Sequence, residues 1–193
     1  MTTRISRKLL ALLALVLFFN PALQAFDIAA GLNIGKRLID DPFMRDVYGH
    51  GYVFQPFLRY NYTNLLAIEA AYEGGYKRDG RIGLFQEKST LSITGWELSG
   101  ILYYRIHNFV PFIRFGVGYY DYRQDIASEF VHFEVDNHKI TYIMGGGISI
   151  FLNNSFFLNT EVKYIPFKVK PVDIEVDLGG MRFMLGIGYR FAL

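Results

Sequence analysis

The sequence predicts an all-β chain, folded as an eight-stranded antiparallel up-and-down transmembrane β-barrel preceded by a cleaved signal peptide. Three observations predict it. Apolar and polar residues alternate with a period of two in eight separate segments. The connections between those segments alternate between long and short. Aromatic residues reach 17%, Gly numbers 19, and no apolar run beyond residue 25 approaches the roughly 18 residues of a membrane helix.

Arg4, Arg7 and Lys8 precede an apolar stretch from Leu9 to Phe19, which Asn20 and Pro21 interrupt. Ala22-Leu23-Gln24-Ala25 then offers a small residue for cleavage. This is the pattern of a secretory signal peptide over residues 1–25, leaving 26–193 as one barrel domain. The chain has 20 basic and 18 acidic residues; loss of the three basic residues of the leader leaves 17 against 18, a net charge of −1. That balance excludes a strongly basic nucleic-acid binder. The absence of Cys excludes disulfide scaffolds, Cys-ligated zinc and iron–sulfur clusters.

The strands follow in order. Phe26 to Lys36 sets Ile28, Ala30, Leu32 and Ile34 against Asp27, Ala29, Gly31 and Asn33. Tyr52 to Tyr62 sets Phe54, Leu58 and Tyr60 against Gln55, Arg59 and Asn61. Leu66 to Tyr76 sets Leu66, Ile68, Ala70 and Tyr72 against Glu69 and Glu73. Trp96 to Ile106 sets Trp96, Leu98, Leu102 and Tyr104 against Glu97, Ser99 and Arg105. Pro111 to Tyr122 sets Ile113, Phe115, Val117 and Tyr119 against Arg114, Gly116 and Gly118. Ile140 to Leu152 sets Tyr142, Met144, Ile148 and Ile150 against Thr141, Gly145, Gly147 and Ser149. Phe156 to Phe167 sets Leu158, Val162 and Tyr164 against Asn159, Glu161 and Lys163. Met181 to Phe191 sets Phe183, Leu185, Ile187, Tyr189 and Phe191 against Arg182, Gly186, Gly188 and Arg190. Each is about 11 residues, the length a tilted strand needs to cross a bilayer. Pro56 predicts a bulge nearby, and Gly145-Gly146-Gly147 permits another.

Short turns at Thr63-Asn64, His107-Asn108-Phe109 and Asn153-Asn154-Ser155 alternate with long connections over 37–51, 77–90, 123–138 and 168–180. Outer-membrane barrels sort their loops this way, with short periplasmic turns and long external loops. Both termini then lie on the periplasmic side of a bacterial outer membrane. Aromatic residues on the apolar face gather toward the two ends of the strands, as the two interfaces of a bilayer require.

The polar face carries Arg59, Arg105, Arg114, Lys163, Arg182 and Arg190 with Glu69, Glu73, Glu97 and Glu161. Eight strands leave room inside for side chains and little else. The expectation is a lumen plugged by a charge network formed by these ten residues, with Glu69 near Arg59 and Arg105 near Arg114.

The chain resembles the small eight-stranded outer-membrane barrels: the OmpA transmembrane domain, OmpX, the neisserial opacity proteins and OmpW. The resemblance rests on the last strand, Met181-Arg-Phe-Met-Leu-Gly-Ile-Gly-Tyr-Arg-Phe191, on Pro111-Phe-Ile-Arg-Phe-Gly-Val-Gly-Tyr-Tyr120, and on Glu161-Val-Lys-Tyr-Ile165. It implies that Tyr189 and Phe191 form the signal read by the barrel-assembly machinery, although Ala192 and Leu193 follow here.

Chemistry is sparse. Lipid A deacylases of the barrel type use a His-x-Ser-Asn segment. His50, His107, His132 and His138 are followed instead by Gly-Tyr, Asn-Phe, Phe-Glu and Lys-Ile. Asp121, Asp125, Glu129, Glu134 and Asp136 surround Arg123 in the third long connection without calcium-loop spacing, and read as a solvated acidic stretch. The expected function is a non-enzymatic, monomeric barrel without cofactor, structural or surface-interacting through four long loops. Its expected partners are outer-membrane lipid and lipopolysaccharide, the assembly machinery, and an extracellular ligand of unknown identity, with no nucleic acid. A narrow channel for small or hydrophobic molecules is the alternative, and a lipid A-modifying enzyme the disfavoured third.

Overall fold

The structure is a computed structural model and describes residues 24–83, 86–127, 132–169 and 175–192. The expected leader, apart from its last two residues, lies outside them. Among the described residues ten strands and one helix form in chain order: β1 (Gln24–Arg37), α1 (Pro42–Tyr48), β2 (Gly51–Thr63), β3 (Leu66–Ile82), β4 (Glu87–Tyr103), β5 (Phe109–Ala127), β6 (His132–Phe151), β7 (Phe156–Ile165), β8 (Lys168–Val169), β9 (Val176–Asp177) and β10 (Gly180–Ala192). Eight of the strands close an antiparallel barrel in the order β1-β10-β7-β6-β5-β4-β3-β2, while β8 and β9 pair apart from it. The seam between β1 and β10 is fully laddered from Asp27↔Ala192 to Arg37↔Arg182. Where all eight strands pair, closure leaves no edge, which hydrocarbon demands.

The period of two survives folding. Along β2 buried and exposed residues alternate without a break from Gly51 to Asn61. The exposed set is apolar: Leu32, Leu58, Ile68, Leu98, Leu102, Ile113, Val117, Ile148, Leu185 and Ile187 all face outward. Aromatic residues flank this band. Trp96 packs against Tyr72 with ring centroids 4.9 Å apart, and at the other end Tyr189 meets Phe156 at 4.8 Å and Phe191 at 4.7 Å.

The three short turns are held locally. The Thr63 hydroxyl accepts from the Leu65 and Leu66 amides at 3.1 and 2.9 Å. Asn153 Oδ1 accepts from Ser155 and Phe156 at 2.9 and 2.7 Å. His107 takes a positive φ of 57° in the turn between β4 and β5.

Several boundaries differ from expectation. The 77–90 and 123–138 connections are mostly strand, because β3–β4 and β5–β6 continue as ladders to Ile82↔Glu87 and Ala127↔His132. The 37–51 connection holds α1. Asp41 caps it, accepting from the Met44 amide at 3.0 Å; Pro42 opens it and Gly49, at φ 70°, ends it. No bulge forms at Pro56, which stays in register with Leu32. Toward β3 the pairs Phe54↔Gly74 and Phe57↔Ala71 keep one register. A strand residue's N–H points to one neighbour only, so Pro56 omits a bond without shifting the ladder. The 145–147 segment pairs continuously with both neighbours. Register shifts instead in β3, where Gly74 and Gly75 both stand between Glu73↔Gly95 and Tyr76↔Ile93, and at the start of β1, between Gln24↔Thr63 and Asp27↔Asn61. Gly75 has φ 89°, a conformation that glycine adopts without strain. The extra residue turns Tyr76 inward, where it is buried.

Candidate functional site: the charged lumen

The inward faces bring nine charged side chains into the barrel, all nearly or fully buried: Arg37, Arg59, Arg114, Lys163 and Arg182 with Glu69, Glu73, Glu97 and Glu161. Period two places each of them. Glu69 and Glu73 are four apart on β3, Glu161 and Lys163 two apart on β7, so each pair points the same way.

Two clusters form. In the first, Glu69 accepts from Arg59 at 2.8 Å and from Arg114 at 2.6 Å, one carboxylate oxygen to each. Arg114 also lies 2.8 Å from Glu161. In the second, Lys163 donates to both oxygens of Glu97 at 2.7 and 2.8 Å, and the Tyr120 hydroxyl donates to Glu97 as well. Glu73 stands among three cations: Arg37 at 3.1 Å, Arg182 at 3.4 Å and Lys163 at 3.7 Å. Arg37 and Arg182 also donate to the Leu178 and Gly180 carbonyls. The charges nearly cancel, five basic against four acidic, which is what burial in a narrow lumen demands.

An apolar layer covers this network on the side of the long connections. Ile39, Met44, Tyr48, Tyr76, Leu91, Ile93, Tyr120, Tyr122, Ile165, Phe167 and Leu178 belong to one buried cluster. Met44 and Tyr48, four apart, turn one face of α1 down into it. Tyr48 also shares a 2.7 Å hydrogen bond with Ser89 and accepts one from Gln124 at 2.7 Å, tying the helix to β4 and β5. Burial pushes the Tyr48 phenol above its ordinary pKa. Tyr120 joins the layers: its hydroxyl reaches Glu97, and its ring centroid lies 5.6 Å from that of Phe167.

Of the ten residues expected in the network, eight meet in these two clusters. Arg105 does not. β4 ends at Tyr103, so Arg105 falls in the following turn, exposed, with its guanidinium 4.6 Å from the Phe151 ring centre. Arg190 sits at the same mouth, 3.7 Å from Asp27. Arg37 and Tyr120 belong to the network though the expectation omitted them. Tyr189 and Phe191 face outward near the end of β10. Arg123, in the acidic stretch, pairs with Glu134 at 3.1 Å and Asp136 at 3.0 Å in the exposed β5–β6 hairpin. Glu129 lies outside the described residues.

A closed barrel with an apolar exterior, aromatic girdles and a charged, filled interior is a transmembrane β-barrel of the outer-membrane class. The chain belongs to the family described as outer membrane protein beta-barrel domain, which matches residues 10–191. Among solved structures it is similar to the outer membrane protein OprG from Pseudomonas aeruginosa, at TM-score 0.72 and 16% identity, covering 89% of this chain and 99% of that one. It is also similar to Ail, the attachment invasion locus protein of Yersinia pestis, at TM-score 0.55 and 16% identity, covering 88% and 100%. The outer membrane protein AlkL matches at TM-score 0.52 and 18% identity, covering 90% and 94%. At these identities the likeness is one of fold. No curated protein matches the chain in sequence. The family and fold place it in the outer membrane.

Proposed function

We propose that this protein is a non-conducting, non-enzymatic outer-membrane barrel that anchors surface-exposed hairpins. The observation that carries the reading is the double closure of the lumen. The buried ion pairs around Glu73 and Glu97 lie inside the barrel, and the apolar layer from Ile39 to Leu178 lies over them. A solute crossing the barrel would have to displace both. In this reading the end that carries α1 and the two extended hairpins faces outside, and the short turns and both termini face the periplasm. Sorting of connections by length supports that orientation. The apolar band contacts lipid, the exposed hairpins meet lipopolysaccharide or an external ligand, and Tyr189 and Phe191 serve assembly.

The test is planar-bilayer recording of the refolded protein beside mass spectrometry of lipid A from cells overproducing it. The proposal expects no steady current and an unchanged lipid A profile. A reproducible conductance would favour the channel, and a shifted acyl composition the enzyme.

A further inference from the structure

The lumen is open at one end. Beneath the first ion cluster, at the mouth formed by the termini and the short turns, lies a cavity of about 360 Å³. That size falls in the range of small-ligand sites. Among the described residues its wall holds three guanidiniums, Arg59, Arg105 and Arg190, and a single carboxylate, Asp27. Asp27 already accepts from the Asn61 amide and stands 3.7 Å from Arg190. Arg59 is buried, held by Glu69 and stacked on Phe57, Phe112 and Phe157 at 5.4 to 5.8 Å. Among the described residues no carboxylate pairs with Arg105. Arg105 and Arg190 instead lie over the same ring, Phe151, at 4.6 and 5.2 Å. Two like charges are thus gathered on one aromatic side chain, above a buried third, with half the cavity wall apolar.

We propose that this vestibule binds a small organic anion, a carboxylate with an apolar body, held between Arg105 and Arg190 with Arg59 at its floor. Guanidinium forks fit carboxylates bidentately, and an anion between the two arginines relieves their mutual repulsion. The apolar body rests against Phe151, Phe157 and Val110. In the proposed orientation the ligand arrives from the periplasm, but binding itself requires no particular orientation.

The test uses the full barrel refolded in detergent micelles and observes 4-fluorobenzoate by ¹⁹F NMR, with 4-fluorobenzamide as its uncharged counterpart and empty micelles as the blank. The expected result is saturable binding of the benzoate and only micelle partitioning of the amide. Arg105→Gln with Arg190→Gln should weaken the benzoate about tenfold or more, since a charge-assisted hydrogen bond contributes that much. Arg105→Lys with Arg190→Lys should recover part of the loss. Arg123→Gln, on the exposed hairpin, should change nothing. Absence of saturation, equal binding of the amide, or full retention in the double Gln variant would overturn the proposal. None of these outcomes bears on whether the lumen above is sealed.

Discussion

Removing the Glu97 carboxylate strands Lys163. Lys163 Nζ lies 2.7 and 2.8 Å from the two Glu97 oxygens, and both side chains are fully shielded from solvent. At 2.7 Å and an effective dielectric of about 20, Coulomb's law gives a gross attraction of about 6 kcal/mol. Desolvation offsets much of that in the intact protein. It does not vanish when Glu97 is truncated, because Lys163 stays buried. Its remaining neighbour, Glu73 at 3.7 Å, is already engaged by Arg37 and Arg182. Tyr120 loses its acceptor too. The net cost of Glu97→Ala is therefore about 3–5 kcal/mol, the usual range for a broken buried pair. Removing both partners, Glu97→Ala with Lys163→Met, leaves no stranded charge and should recover more than half of it. Urea titration of the barrel refolded in lipid vesicles measures both variants. A single-variant cost under about 1 kcal/mol, or a double variant no more stable than the single, would refute the network as a set of interdependent pairs.

Other perturbations test the remaining parts. Leu185→Arg, at a side chain 65% exposed on the outward face, should cost about 2–4 kcal/mol near the bilayer midplane, whereas Ile140→Arg, paired with Tyr119 of the aromatic girdle, should cost roughly 1 kcal/mol or less in the same titration. A Cβ on Gly95 would overlap the Tyr120 ring, so Gly95→Ala should destabilise by about 1–3 kcal/mol and blunt the near-ultraviolet circular dichroism of the buried tyrosines. Trypsin added to intact cells should cut at Arg81 or Lys88, at the tip of the β3–β4 hairpin; cutting there only after permeabilisation would reverse the proposed orientation.

The barrel was legible because lipid enforces a strict contrast between two faces, and a period of two reports it directly. Arg37 shows how a boundary hides a residue. It shares a face with Asn33, but the apolar alternation stops at Lys36, one residue short of it. Tyr120 shares parity with Arg114, Gly116 and Gly118, yet a tyrosine among polar lumen residues carried no charge to draw notice. The apolar layer hides in the sequence for a different reason. Where β3–β4 and β5–β6 rise beyond the girdles, the contrast inverts: Tyr76, Leu91, Ile93, Tyr120 and Tyr122 point in, while Lys77, Asp79, Lys88 and Arg123 point out. A barrel in water is apolar inside and polar outside, so a pattern tuned to lipid reads these stretches as loop. The helix leaves a clearer trace, because Asp41-Pro42 and Gly49 bracket a seven-residue amphipathic stretch with capping residues.

The proposed seal consists of two layers, meeting where Tyr120 touches both Glu97 and Phe167. Single-channel recording tests it most directly, comparing the wild-type barrel with a Glu97→Ala, Phe167→Ala variant that thins both layers. A sealed lumen gives a silent wild type and intermittent current through the variant. A wild-type barrel that conducts steadily, with the same unit conductance in the variant, would contradict it.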